Sequence, residues 1–255
     1  MFLLRREARE RTTPIGALHR AIMRWGEAER TTSRLAVQRW VDGVAYVDVQ
    51  ARTYADFWTL QNKQALTADG PLWVVLGDST AQGLGASSPL HGYVGQVLNA
   101  LRRRGTPWRV LNLSRSGAQT RHVLEDQLPL LGGLTPALVT CGIGNNDILA
   151  TAPKRFRDNL CQVIERLPSS SVVMDLTVPD GFWRIGGLCS PYVAGINQLI
   201  STTATDRGLP VAEVSRHARP PWRGLLAPDS FHPNNLGYRR HADALLAALP
   251  ATVMS

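Results

Sequence analysis

From about residue 70 onward, short unbroken apolar runs recur between longer stretches of helical spacing. The runs fall at 73–76, 109–113, 138–141, 172–176 and 210–214. An apolar run without polar alternation predicts a strand covered on both faces, as in a parallel sheet. The intervening segments 93–104, 122–131, 154–167 and 193–206 carry the three-to-four residue period of amphipathic helices, and 236–249 adds a last one. Strand–helix–strand alternation of this kind argues for a layered α/β fold. It predicts a three-layer α/β/α sandwich around a five-stranded parallel sheet, with right-handed crossovers. In such sheets the working residues gather beyond the carboxyl ends of the strands.

Residues 1–69 break the pattern. Ile15, Leu18, Ile22 and Trp25 share one face of a predicted helix, with Arg20 and Arg24 pointing elsewhere. The stretch 43–49 alternates as a half-buried strand does. Residues 54–66 return to helical spacing, with Phe57, Trp58 and Leu60 available for packing. The expected division is a basic, mainly helical extension over 1–69 and an α/β domain over 70–255. The extension holds too much apolar content for simple disorder. It is expected to pack on the α/β domain or on a second subunit; the sequence leaves the oligomeric state open.

A chain of 255 residues suffices for one α/β domain with such an appendage. No apolar run reaches the ~18–20 residues that cross a bilayer. Met1-Phe2-Leu3-Leu4 gives way at once to Arg5-Arg6, too early for the apolar core of a signal peptide. The location expected is cytoplasmic. The net charge of +8 is carried mostly by arginine, and the only lysines are Lys63 and Lys154. Arg5, Arg6, Arg9, Arg11, Arg20, Arg24, Arg30 and Arg34 crowd the first 34 residues. A basic arm of this kind can lie against anionic lipid, placing the protein at the membrane periphery, or against nucleic acid. The plainer reading is a solvated helix face, and no nucleic-acid partner is expected. Cys141, Cys161 and Cys189 show neither metal-site spacing nor a disulfide framework. Cys141 reads as a small apolar strand residue, and Cys189, in a glycine-rich loop, is the cysteine to test for reactivity.

Four short stretches carry chemistry. Ser79 follows the first apolar run in Gly77-Asp78-Ser79, Gly117 follows the second in Ser114-Arg115-Ser116-Gly117, and Asn146 follows the third in Gly144-Asn145-Asn146-Asp147. Asp229-Ser230-Phe231-His232 precedes the last helix. A serine hydroxyl becomes a competent nucleophile when a neighbouring base takes its proton. His232 is the natural base, and Asp229 is near enough to hold the imidazole by one nitrogen and leave the other for Ser79. Pro233 pushes His232 into an extended or turn conformation, as a loop-borne base requires. Attack on an ester carbonyl needs donors for the oxyanion, and the Ser79 N–H, the Gly117 N–H and the Asn146 amide supply three. Asp78 reads as a tie for the Ser79 turn and Asp147 as a brace of the Asn146 loop. His91, His122, His217 and His241 lack a comparable carboxylate and read as surface or helix histidines. Neither the Gly-Lys-Ser/Thr of a phosphate loop nor the Gly-x-Ser-x-Gly elbow surrounds Ser79.

This set resembles the SGNH (GDSL-type) hydrolases over roughly residues 71–249. The resemblance implies a flavodoxin-like sandwich with strand order 2-1-3-4-5. It implies Ser79 as nucleophile, Asp229 and His232 as the base pair, and Ser79, Gly117 and Asn146 as the oxyanion hole. Thr80 stands where the short name of the family has leucine, and the long N-terminal extension lies outside the family pattern. No cofactor or metal is expected.

The leading expectation is a serine esterase, lipase or acylhydrolase working through an acyl-enzyme, on a small-molecule or lipid ester. An acyltransferase would use the same residues with an acceptor alcohol in place of water. A membrane-associated lipase would dock by the basic arm. A non-enzymatic binding protein fits least, since every catalytic position is filled. Phe182, Trp183 and Arg184, in a loop after the fourth run, are candidate substrate-binding residues: two rings for an acyl groove and a cation for an anionic head group. Aromatics that simply pack inward explain the loop equally well.

Overall fold

The computed structural model describes residues 32–148, 150–177, 186–219, 222 and 224–254. It opens with a long helix α1, Thr32–Thr67. There follow β1 (Leu72–Gly77), the short helix α2 (Ser79–Gln82), α3 (Tyr93–Arg102), β2 (Arg109–Asn112) and a one-turn α4 (Thr120–His122). Next come β3 (Leu138–Gly142), α5 (Pro153–Arg166), β4 (Ser171–Met174), α6 (Gly186–Asp206) and β5 (Val211–Ala212). The small helix α7 (Val214–His217), then α8 (Asn235–Ala248) and α9 (Ala251–Met254), complete the order.

All four strand pairings are parallel, in the order β2-β1-β3-β4-β5. Alternation along β1 divides the apolar interior in two. Trp73 and Val75 face a core shared with Trp58 of α1, Tyr93 and Val97 of α3, and Tyr238 and Leu245 of α8. Leu72, Val74 and Leu76 face the other core, with Phe156 and Leu160 of α5 and Ile196 and Ile200 of α6. This is the three-layer sandwich with the 2-1-3-4-5 order expected. The buried, unalternating strands are its cause, since both sheet faces must carry apolar side chains.

Two local expectations are corrected. Residues 43–49 are helical, being part of α1. Their buried members are Gly43 and Val47, continued by Gln50, Tyr54, Trp58 and Ala65 at spacings of three, four and seven. Val44, Tyr46 and Val49 face solvent at 39%, 49% and 74% exposure. The apparent alternation therefore arose from apolar residues outside the buried stripe. The segment 122–131 is no regular helix either. After α4 it widens into a π turn over Val123–Gln127 and tightens to a 3-10 turn over Leu128–Leu131. Pro129 cannot donate to the preceding turn, and the π turn leaves Gln127 buried. The predicted helix of Ile15, Leu18, Ile22 and Trp25, and most of the arginine cluster, lie outside the described residues. Among those described, no helix is long and apolar enough to cross a membrane.

Helix α1 closes the β2 edge of the sheet. Asn62 accepts from the Asn112 N–H and donates to its carbonyl, both at 2.8 Å, in the manner of an adjoining strand. The Arg109 guanidinium donates to the carbonyls of Ala65 and Gly70 at 2.7 and 2.8 Å. Substituting Asn62→Ala should lower the unfolding free energy by about 1–3 kcal/mol, because it strips two partners from a part-buried backbone. Urea denaturation checks this, and an unchanged midpoint would mean that water replaces the side chain without loss.

Candidate active site

Ser79, Gly117 and Asn146 each lie just beyond the carboxyl end of a strand, after β1, β2 and β3. Ser79 opens α2, whose N-cap is Asp78: the Asp78 Oδ1 accepts from the Thr80 N–H at 2.9 Å. The first N–H groups of a helix have no intrahelical acceptor, which leaves the Ser79 N–H unclaimed by its own helix. Gly117 sits on an exposed loop with φ +73°. A Cβ there would meet nothing within 4 Å, so the backbone angle, rather than crowding, selects glycine.

The Asp229–His232 loop reaches the same point from the segment between α7 and α8. His232 Nε2 lies 2.9 Å from Ser79 Oγ, and His232 Nδ1 lies 2.6 Å from Asp229 Oδ2. The other Asp229 oxygen accepts the N–H groups of Phe231 and His232, each at 3.0 Å. Ser230 makes this turn possible by adopting φ +56°, alone among the described non-glycine residues in having a positive φ. The loop is closed by Ala227 donating to the His232 carbonyl at 2.8 Å and by Ser230 donating to Ala227 at 2.9 Å. Burial pushes the Asp229 carboxyl up, but its bonds to His232 and to the two N–H groups outweigh that and hold it below the usual range.

Asn146 is fixed from two sides. Its Nδ2 donates to the Ala118 carbonyl at 2.9 Å and reaches Asp78 Oδ2 at 3.4 Å. Asp147 joins the loop of Asn146 to that of Gly117: its two oxygens accept from the Thr120 N–H and Oγ, both at 2.9 Å, and Thr151 adds a third bond at 3.0 Å. Burial raises the Asp147 carboxyl above its ordinary value, with these hydrogen bonds opposing. Both readings of the neighbouring carboxylates, Asp78 as a tie and Asp147 as a brace, agree with these contacts.

Sequence reasoning missed several supports. Gln127, buried on the π turn, pairs with both backbone groups of Gly77 at 2.8 and 2.9 Å and so holds the end of β1. A lone glutamine within helical spacing gives no signal of this. Gln82 secures the neighbouring loop by donating to the Ser114 carbonyl at 3.0 Å. His241 is a helix histidine as expected, yet it is buried; burial pulls its pKa down to about 4. It lines a small pocket of about 30 Å³ shared with Asp78, Tyr93, Asn145 and Thr177. The Tyr93 hydroxyl and the Asn145 Oδ1 are buried without a partner. Phe182, Trp183 and Arg184 lie outside the described residues. Among those described, no group of three His, Cys, Asp or Glu side chains is gathered for a metal ion.

Burial also raises the Asp78 carboxyl, to about 6; the Thr80 bonds and His232 oppose the shift and the Asp147 charge adds to it. A carboxyl with a raised folded-state pKa binds its proton more tightly in the folded protein. It therefore weakens folding as pH climbs from about 4 to about 6 and costs nothing below that window. Asp78→Asn, which keeps the cap on Thr80, should match the native protein in stability at pH 3.5. It should exceed it by on the order of 2–3 kcal/mol at pH 7.5. Denaturant melts across the pH range test this, and a pH-independent difference would contradict it.

The sequence profile of the GDSL-like lipase/acylhydrolase family matches residues 75–240. Solved structures similar in fold include TesA, at 22% identity and a TM-score of 0.61, covering 71% of this chain and 98% of TesA. The lipase/acylhydrolase from Enterococcus faecalis is similar at 21% identity and a TM-score of 0.57, over 69% and 94% of the two chains. Axe2, an acetylxylan esterase from Geobacillus stearothermophilus, is similar at 18% identity and a TM-score of 0.56, over 71% and 94%. A comparison with curated protein sequences gives no significant match. Because the matched region spans well over half of the sequence and contains the whole serine–histidine–carboxylate constellation, the chain belongs to the GDSL-like lipase/acylhydrolase (SGNH) family and is a serine ester hydrolase.

Proposed function

We propose that the protein cleaves carboxylic esters through Ser79 as nucleophile, His232 as general base and acid, and Asp229 as the group that orients His232. The observation that carries this reading is the continuous chain of hydrogen bonds from Asp229 Oδ2 through the imidazole to Ser79 Oγ, 2.6 and 2.9 Å long. With Asp229 bonded at Nδ1, that nitrogen carries its proton and Nε2 presents a lone pair to the hydroxyl. Oγ attacks the ester carbonyl as its proton passes to Nε2. The tetrahedral oxyanion collapses, the alcohol leaves with the proton from Nε2, and the acyl group stays on Ser79. Water, deprotonated by the same nitrogen, then releases the carboxylic acid and restores the serine.

The Ser79 and Gly117 N–H groups and the Asn146 amide are the proposed oxyanion donors. The two Asn146 Nδ2 contacts are unequal. The bond to the Ala118 carbonyl is short, whereas the 3.4 Å contact to Asp78 is long for a hydrogen bond. The second hydrogen, only weakly engaged by Asp78, is thus the one available to a developing negative charge while the first keeps the side chain on the Ala118 carbonyl. Thr120 and Asp147 then keep the Gly117 and Asn146 loops in register, so the donors need no rearrangement at the moment of attack.

Ser79→Ala and His232→Ala should each lower kcat on p-nitrophenyl acetate by at least ~10⁴-fold. Asn146→Ala should lower it on the order of 10²–10³-fold with a small change in KM, because the interaction it removes strengthens in the transition state. Mass spectrometry after fluorophosphonate treatment should place the label on Ser79. Full activity in either the serine or the histidine variant would end this assignment.

A further inference from the structure

Helix α1 lies outside the matched family region, yet one stripe of it reaches both loops of the site. Gln50, Tyr54 and Trp58, spaced by four residues, are buried and face the segment that follows Ser79. Gln50 Oε1 accepts from the Gly85 N–H at 2.9 Å, and its Nε2 donates to the Ala86 carbonyl at 3.1 Å. The Tyr54 hydroxyl donates to that same carbonyl at 2.6 Å. The Trp58 indole donates to the Gln82 carbonyl at 2.9 Å. One helix thus satisfies three backbone groups over 82–86 through four hydrogen bonds, and none of those groups belongs to a strand.

Closer to its start, the same stripe meets the other loop. A Cβ on Gly43 would lie 2.3 Å from the Pro228 carbonyl oxygen and 2.7 Å from the Asp229 nitrogen, so backbone is in contact with backbone there. Val47 and Tyr54 form a small apolar cluster with Leu84, from the serine loop, and Ala227, from the histidine loop. The two loops also touch each other at Gly85, where a Cβ would stand 2.8 Å from the His232 Cβ. Gly85 has φ +90°, and it is held in place by the Gln50 side chain. A displacement of α1 therefore moves the backbone on which His232 rests.

We infer that α1 is the positioning element of the esterase site: Gln50, Tyr54 and Trp58 fix the 82–86 loop, Gly43 and Val47 fix the 227–229 segment, and together they hold Ser79 and His232 at reacting distance. The inference rests on the roles assigned to Ser79 and His232 above. It adds a requirement that the family region does not contain. A helix that served only as a cover would affect stability, whereas a positioning helix sets the rate of acylation, since a misplacement of about 1 Å can cost on the order of a hundredfold.

The test uses the full chain with Tyr54→Phe, the double substitution Gln50→Ala/Tyr54→Phe, and Gly43→Val. Val49→Ala, on the exposed face of α1, is the control. Assays are run well below the thermal midpoint of each variant. The double variant and Gly43→Val should lose roughly 10–100-fold in kcat on p-nitrophenyl acetate with KM within about twofold, and Tyr54→Phe a few-fold. Fluorophosphonate labelling of Ser79 should slow in proportion, and Val49→Ala should behave as the native protein. A folded double variant that labels and turns over at the native rate would overturn the inference. If the double variant does not fold, Tyr54→Phe decides alone: it lacks one oxygen, and native kcat and labelling there would overturn it. Native protein that fails to label at Ser79 would instead count against the nucleophile itself.

Discussion

A hydrogen bond of 2.9 Å joins two side chains 153 residues apart in sequence, and the rest of the site is arranged around that length. Neither partner sits on a long regular element. Ser79 opens a four-residue helix, and His232 lies in a turn between helices. The sheet supplies the rigid reference, since β1 is buried along its whole length and Gln127 clamps its last residue. Among the described residues, no strand leads directly into the histidine loop. It borrows rigidity from the Asp229 carboxylate, which gathers three donors in four residues. It borrows more from the Tyr238 hydroxyl of α8, which reaches the Leu84 carbonyl at 2.5 Å in the facing loop.

Polar groups accumulate where the strands end. Asp78 and Asp147 are both nearly sealed from solvent and both raised by burial, and the Asp147 charge adds to the cost of Asp78. Behind them a neutral His241 and an unpartnered Tyr93 hydroxyl share a small cavity. A structure selected for stability alone would place apolar residues here. The return is positional: Asp78 caps the turn that carries Ser79, and Asp147 ties together two loops that lie 27 residues apart in the sequence. The sheet interior shows the opposite economy, with apolar side chains on both faces.

Much of this was legible from residue order. Strands of a parallel sheet announce themselves as unbroken apolar runs, and the four polar stretches at their ends could be read as a set because each has a distinct chemical role. The roles of Asp78 and Asp147 followed from their adjacency to Ser79 and Asn146. Supports acting across long sequence separations were not legible. Gln127 is one such case, since nothing local distinguishes an inward glutamine on a π turn from a solvated one on a regular helix. The stripe on α1 was obscured for another reason. Two of its members, Gly43 and Gln50, are not apolar, while Val44, Tyr46 and Val49 are apolar and exposed. Hydrophobic period reports burial only when buried residues are apolar, and α1 buries groups that bond to backbone instead.

The contact between Gly43 and the Pro228–Asp229 backbone also orders events in time. Its two sides are separated by most of the chain, so during synthesis the helix is complete long before the segment it touches exists. The bonds from Gln50, Tyr54 and Trp58 to 82–86 span only 24 to 36 residues and can form early. A nascent chain can therefore dock the serine loop on its helix, with Val47 waiting on an unfinished surface. Low-separation contacts first and the distant clasp last is the sequence that loop-closure entropy favours. Ser79 then meets His232 only after the 153 residues that separate them have been made.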